Sequence, residues 1–345
     1  MYTPHRPIWL ALILILQTAG STAAADEDVL PLLPAETDTV LYFNFEKTLR
    51  SELFQKNFAT PLNIASAGSP ELQELLTATG FDPLKDLKTV IIAGALPRQG
   101  ERTFSHILIV LTGKFNEKKF IPGFVELVRN NKQCEIVRET DRIFMKLTFD
   151  SGTEKTELFG TVLDEQRFIL GLKPDVLVAL DQATRKAEPV IRKKEIVDAV
   201  KQVGPTTALY WKGTNFINTK EFAGFDDPGI SKLFQGLASD PVTAKLLAKI
   251  TAYHLELRIA SDIKLLMILD ITDVDAAKEV KPLIEKFCNQ SRSLINLMVV
   301  ASPKAKPVEE IARSLTVTGK GKTITIETSL SGAAVAELVK QAKEK

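Results

Sequence analysis

A chain of 345 residues, 45% hydrophobic and 25% charged, is long enough for two domains of ordinary size, each able to bury a core without staples. Its 44 Lys and Arg against 43 Asp and Glu leave it near neutrality, which argues against nucleic acid or an anionic membrane as partner, because neutralising many phosphates needs a positive field. Two cysteines, Cys134 and Cys288, are too few for a disulfide framework and lie far apart in the chain, so each reads as a small buried hydrophobe rather than half of a bridge.

Residues 1–25 carry one charge, Arg6, then an apolar run from Ile8 to Leu16, then small residues ending Ala23-Ala24-Ala25. This is the pattern of a secretory signal with an A-x-A cleavage site. The run falls short of the roughly 20 apolar residues of a bilayer span, so a retained anchor is the weaker reading. The expectation is cleavage near Ala25 and an extracytoplasmic product, periplasmic or secreted, without a stable transmembrane anchor. No cysteine follows the cleavage site to carry a lipid, and the C-terminus is charged. Loss of Arg6 leaves bases and acids equal in number.

The first predicted element, a strand over 39–45, alternates Leu41, Phe43 and Phe45 with Val40, Tyr42 and Asn44. A helical stretch over 71–79 follows, then a hairpin of strands 89–96 and 106–112 across a turn at 99–102. Asn116 reads as the N-cap of a helix bearing Phe120, Phe124, Leu127 and Val128 at helical spacing. Strands are predicted over 134–140, 142–149, 158–163 and 167–172, then a helix opened by Pro174 and bearing Val176, Leu177 and Leu180.

The pattern then restarts. Thr39-Val40-Leu41-Tyr42-Phe43 returns as Thr207-Ala208-Leu209-Tyr210-Trp211, and Ser51-Glu52-Leu53-Phe54-Gln55 returns as Ser231-Lys232-Leu233-Phe234-Gln235. After the strand over 207–212 come helices over 231–237 and 242–250 and a hairpin of strands 252–260 and 263–271. Asp273 caps a helix with a stripe of Val274, Ala277, Val280, Ile284, Phe287 and Cys288. Strands 314–319 and 323–329 and a helix capped by Ser331 complete the chain. Short loops between successive strands force antiparallel pairing, since a parallel crossover needs a dozen or more residues.

The expected architecture is α+β: two tandem, duplicated units, each a mainly antiparallel sheet with helices packed on one face. The signal occupies 1–25, the first unit 26–190 and the second 191–345, with the seam in the charge-dense stretch 186–194 around Pro189. The first copy has extra strands between 158 and 172, and the second a longer helical insert between its first strand and its hairpin.

No catalytic, cofactor or metal signature emerges. His106 and His254 both fall in strands and show no ligand spacing. His106 beside Ser105 lacks the G-x-S-x-G of a nucleophile elbow. Asp270, Asp273, Asp275 and Glu279 lack the central glycine of a calcium loop and fit a helix N-terminus better. Asp226-Asp227 precedes Pro228-Gly229 and reads as a turn. Gly319-Lys320-Gly321-Lys322 joins two strands, where a phosphate loop joins a strand to a helix. Tyr42, Phe43, Tyr210 and Trp211 sit in first strands and are expected in the core rather than against a ligand.

The export signal, the opening Leu32-Leu33-Pro34-Ala35-Glu36-Thr37 and the Ser51–Gln55 element resemble those of uncharacterised exported proteins of planctomycete-type bacteria, a resemblance that carries over no functional residue. The expected function is a non-catalytic binding or structural module of the cell envelope, with an envelope protein, lipid or polymer as partner. The alternatives are a hydrolase using dispersed carboxylates and a periplasmic carrier of an apolar ligand.

Overall fold

The computed structural model describes residues 27–59, 69–95, 105–127, 134–139, 142–150, 155–185, 191–201, 203, 207–214 and 241–343. The expected signal at 1–25, the turn at 99–102, Asp226-Asp227 and the repeat element at 231–235 lie outside these residues. The chain divides into two compact units, which meet in sequence at Ala208 and Leu209.

In the first unit a 3₁₀ turn, Glu27–Leu32, leads to β1 (Thr39–Asn44) and the short helices α1 (Phe45–Arg50) and α2 (Glu52–Asn57). Both helix starts are written in the sequence. Asn44 Oδ1 accepts from Lys47 N–H at 2.9 Å, and Ser51 Oγ accepts from Phe54 N–H at 3.2 Å. Next come α3 (Pro70–Thr79), α4 (Pro83–Asp86), β2 (Leu87–Ala95), β3 (His106–Gly113) and α5 (Glu117–Leu127). Strands β4 (Cys134–Glu139), β5 (Arg142–Asp150), β6 (Lys155–Asp164) and β7 (Arg167–Gly171) precede α6 (Lys173–Arg185) and α7 (Lys194–Lys201).

The strand order is β1-β2-β3-β7-β6-β5-β4, antiparallel at every pairing. Its central strands are continuous apolar runs, which suits a sheet covered on both sides. Phe168 of β7 packs on Phe120 of α5 with ring centroids 5.1 Å apart, and Phe115 and Phe81 complete that cluster. Its neighbour Ile169 points the other way, among buried Val110, Leu108, Ile91 and Val40. That second face carries α6: Lys173 Nζ lies 5.4 Å from the centroid of the Phe159 ring, and Asp175 accepts from Ile107 N–H at 2.9 Å. The first unit is therefore α+β with helices on both faces, because α5 and α6 each find an apolar surface. Helix α7 packs on β1 and the 3₁₀ turn, and Arg192 N–H donates to Ala35 O at 3.1 Å, so the described part of the charge-dense stretch, residues 191–194, falls within the first unit.

The second unit contains β8 (Thr207–Gly213, entered at the boundary), α8 (Pro241–Leu247), β9 (Ile250–Ile259), β10 (Ile263–Ile271) and α9 (Val274–Ala301). A 3₁₀ turn, Pro303–Val308, then leads to α10 (Glu309–Ser314), β11 (Thr316–Lys320), β12 (Thr323–Leu330) and α11 (Gly332–Lys343). The strand order is β8-β9-β10-β12-β11. Pairings β9-β10, β10-β12 and β12-β11 are antiparallel. Val280, Ile284 and Cys288 of α9 pack on one face of this sheet against Tyr253, Leu269 and Ile324. The stripe is shifted from its sequence reading: Phe287 is only partly buried, and Val274 is half exposed.

Candidate functional site

The face of the second sheet opposite α9 carries a polar cluster that runs from buried Glu256 and Lys212 to exposed Arg258. On β9, His254, Glu256 and Arg258 recur at every second residue and so share a face, and β10 contributes Asp270 to it. Lys212 enters from β8 and, with a side chain only 10% exposed, reaches across β9 to put Nζ 3.0 Å from Asp270 Oδ2. Glu256, 6% exposed, is held bidentately by Arg258, whose Nε and Nη2 donate at 2.9 and 2.8 Å.

Between the pairs lie His254 and Tyr210, with ring centroids 4.4 Å apart. Burial pushes the His254 imidazole below its usual range, and Lys212 and Arg258 push the same way against the opposing pull of Glu256 and Asp270. Burial, then the Glu256 and Asp270 carboxylates, raise the Tyr210 phenol. His254 Nε2 is buried with no hydrogen-bond partner among the described residues. Chemically this is two closed ion pairs, Lys212 with Asp270 and Arg258 with Glu256, around a buried imidazole, and Glu327 of β12 shares their face.

The acidic cluster predicted beside it separates into individual roles. Asp273 Oδ1 caps α9 by accepting from Ala276 N–H at 2.7 Å, which holds its carboxyl below the usual range. Asp275 pairs with Lys278 at 2.7 Å and Glu279 with Lys249 at 2.5 Å, while Asp270 is the partner of Lys212. Among the described residues no group of three or more His, Cys, Asp or Glu is placed to hold a metal. Gly319–Lys322 is the β11-β12 hairpin, with Gly321 at φ 59°, a conformation glycine adopts without strain.

His106 lies on β3 of the first unit. Its Nδ1 is 2.8 Å from Asp175 Oδ1, and Asp175 is itself buried, so the pair fastens the start of α6 to β3. Both cysteines are free thiols: burial, with help from Glu135, pushes Cys134 up to about 11, and burial raises Cys288. Neither is a ready nucleophile. Tyr42, Phe43 and Tyr210 are core residues, and Trp211 stacks edge-on against buried Tyr253 at 5.2 Å.

A feature that the sequence reading passed over is the second half of α9. Leu294, Leu297, Met298 and Val300 are 57, 66, 52 and 84% exposed. The first three stand at i, i+3 and i+4 and form one flank. An open groove of about 710 Å³ runs along this helix, lined by Pro282, Glu285, Lys286, Asn289, Leu294 and Leu297 among others. Arg292 fixes the helix there by donating to Ala312 O at 3.2 Å and to Leu315 O. The first unit has its own hollow, about 340 Å³, between β5 and α6, lined by Arg142, Phe144, Leu177, Leu180 and Asp181. No described helix is long and apolar enough to cross a membrane.

No protein-family model and no curated protein matches the chain. Among solved structures, one described as "Structure of crystal form I of TP0453" is similar over 90% of this chain and 96% of that chain, at 11% identity and a TM-score of 0.42. A likeness that slight carries neither fold nor function across.

Proposed function

We propose that the chain is an exported, non-catalytic binding module of the cell envelope, whose contact surface is the apolar flank of α9. The observation that carries this reading is the exposure of Leu294, Leu297, Met298 and Val300 along one helix whose first half is buried. Large apolar side chains gathered on one exposed flank mark an interaction surface, whereas single scattered ones do not. The closed ion pairs on the polar face favour this reading over a hydrolase with dispersed carboxylates, because a general acid or base must be free to exchange its proton with substrate.

Duplication of one α+β unit fits the strand orders. β1-β2-β3-β7-β6 and β8-β9-β10-β12-β11 correspond position by position, with a helix after the third strand and another after the last hairpin of each. On this reading the unmatched strands of the first unit are β4 and β5, and β6 and β7, which cover 158–172, are the counterparts of β11 and β12.

Fractionation of cells expressing the chain tests the function. The expected result is an N-terminus near Asp26, retention with the envelope, and release of Leu297→Glu into the soluble extracytoplasmic fraction. An intact N-terminus inside the cell would sink the export reading. Equal retention of the variant would remove α9 as the contact surface.

A further inference from the structure

We infer that the second half of α9 docks on an anionic lipid surface. This rests on the reading of that flank as the contact surface and names its partner. Whole-chain neutrality conceals a local segregation of charge: between Glu285 and Glu309 the sequence holds Lys286, Arg292, Lys304 and Lys306 and no acidic residue. All four exposed apolar residues of α9 fall inside this acid-free window. Lys286 is exposed and lines the same groove as Leu294 and Leu297, the one acid of that lining, Glu285, is paired with Lys281 at 2.7 Å, and Lys306 is exposed on the 3₁₀ turn that follows the helix. The described partners of Arg292 are carbonyl oxygens and Asn289, so its charge is not cancelled by an acid there.

An apolar flank edged by cations, whose one lining acid is already paired with Lys281, has the chemistry of an interfacial helix, which lies in the plane of the headgroups and buries its apolar side into the acyl boundary. Cations near an anionic leaflet add to that partition, each contributing attraction that salt screens. A protein groove or a second copy would use the same leucines, yet neither calls for a window stripped of every acid. Arg292 supplies the rigidity, by tying the helix to the end of α10 and the entry of β11.

Flotation with vesicles tests this, using the chain as purified from an expressing cell and matched variants that share its N-terminus. The chain should float with phosphatidylglycerol-containing vesicles and only weakly with phosphatidylcholine alone, and high salt should release it. Leu297→Glu should lower partition at least tenfold with an unchanged circular-dichroism melting curve, and Lys286→Gln roughly fivefold. No flotation, or flotation unaffected by Leu297→Glu, would overturn the inference. So would a dimer that Leu297→Glu dissolves in the absence of vesicles, which would assign the flank to a second copy. Envelope retention that needs Leu297 without vesicle binding would leave the binding-module reading standing and remove the lipid.

Discussion

Helices α5 and α9 hold the same place in the element order of their units, each following the third strand, and they are built differently. Helix α5 has 11 residues and is buried at Phe120 and Ile121, with Gly123 so near α3 that an added Cβ would lie 2.1 Å from Ala78 O. Helix α9 has 28 residues, buries its first half on the sheet and exposes apolar side chains in its second. At 1.5 Å per residue α9 is about 42 Å long, whereas strands of eight to ten residues reach about 27 to 34 Å, so the helix outruns the surface that could cover it. A helix cut to its sheet serves packing. The excess length of α9 is where its apolar side chains are left exposed.

Substitutions in the two helices sharpen that contrast. Ile284→Ala, in the buried half of α9, should cost about 2 to 5 kcal/mol through lost transfer energy and a cavity. Urea unfolding followed by Trp211, which packs against the same core, reads it; a midpoint shift too small for 1 kcal/mol would mean that α9 does not anchor the second unit. Gly123→Ala should cost about 1 to 3 kcal/mol by forcing α5 off α3, seen in the circular-dichroism midpoint, and a neutral outcome would refute the close approach.

The polar face predicts a pH dependence confined to the second unit. Burial lowers the His254 pKa in the fold below its unfolded value near 6.5, so the unfolded chain binds the proton more readily. Stability from this group is complete above about pH 6.5 and declines as pH falls below it toward the folded pKa. His254→Phe should flatten the fall of the urea midpoint between pH 7.5 and 5, and identical slopes would exclude this histidine as the source. Asp273→Ala removes the N-cap of α9 and should cost about 1 kcal/mol in the same unfolding assay. Leu297→Glu, on the exposed flank, should change stability by no more than about 0.5 kcal/mol while abolishing surface binding. A large loss of stability there would show that the flank is packed and break the contrast between the helix halves.

Much of the local structure was legible in the residues. Asn116, Asp273 and Ser331 marked helix starts because each accepts a hydrogen bond from the first turn, whereas Asn44, placed in the first strand, and Ser51, seen as part of the repeat, turn out to cap helices in the same way. The strand predicted over 252–260 was legible, and its period of two is what sets His254, Glu256 and Arg258 on one face of β9. That Lys212 and Asp270 would meet there was not legible, because the pairing joins positions 58 apart in sequence across an intervening strand. The limit of burial along α9 was equally hidden, since Leu294 and Leu297 continue the apolar character of the helix and only the end of the sheet leaves them bare.

By itself the sequence determined the α+β class, the antiparallel hairpins and the caps, all of which follow from contacts within a few residues or between neighbouring strands. Tertiary structure decided that the first sheet is covered on both faces, that α7 belongs with the first unit, that Lys212 pairs with Asp270 across β9, and that the flank of α9 is open. Each of these depends on which distant surfaces remain after the core is filled, and that is a property of the packed whole that no local pattern encodes.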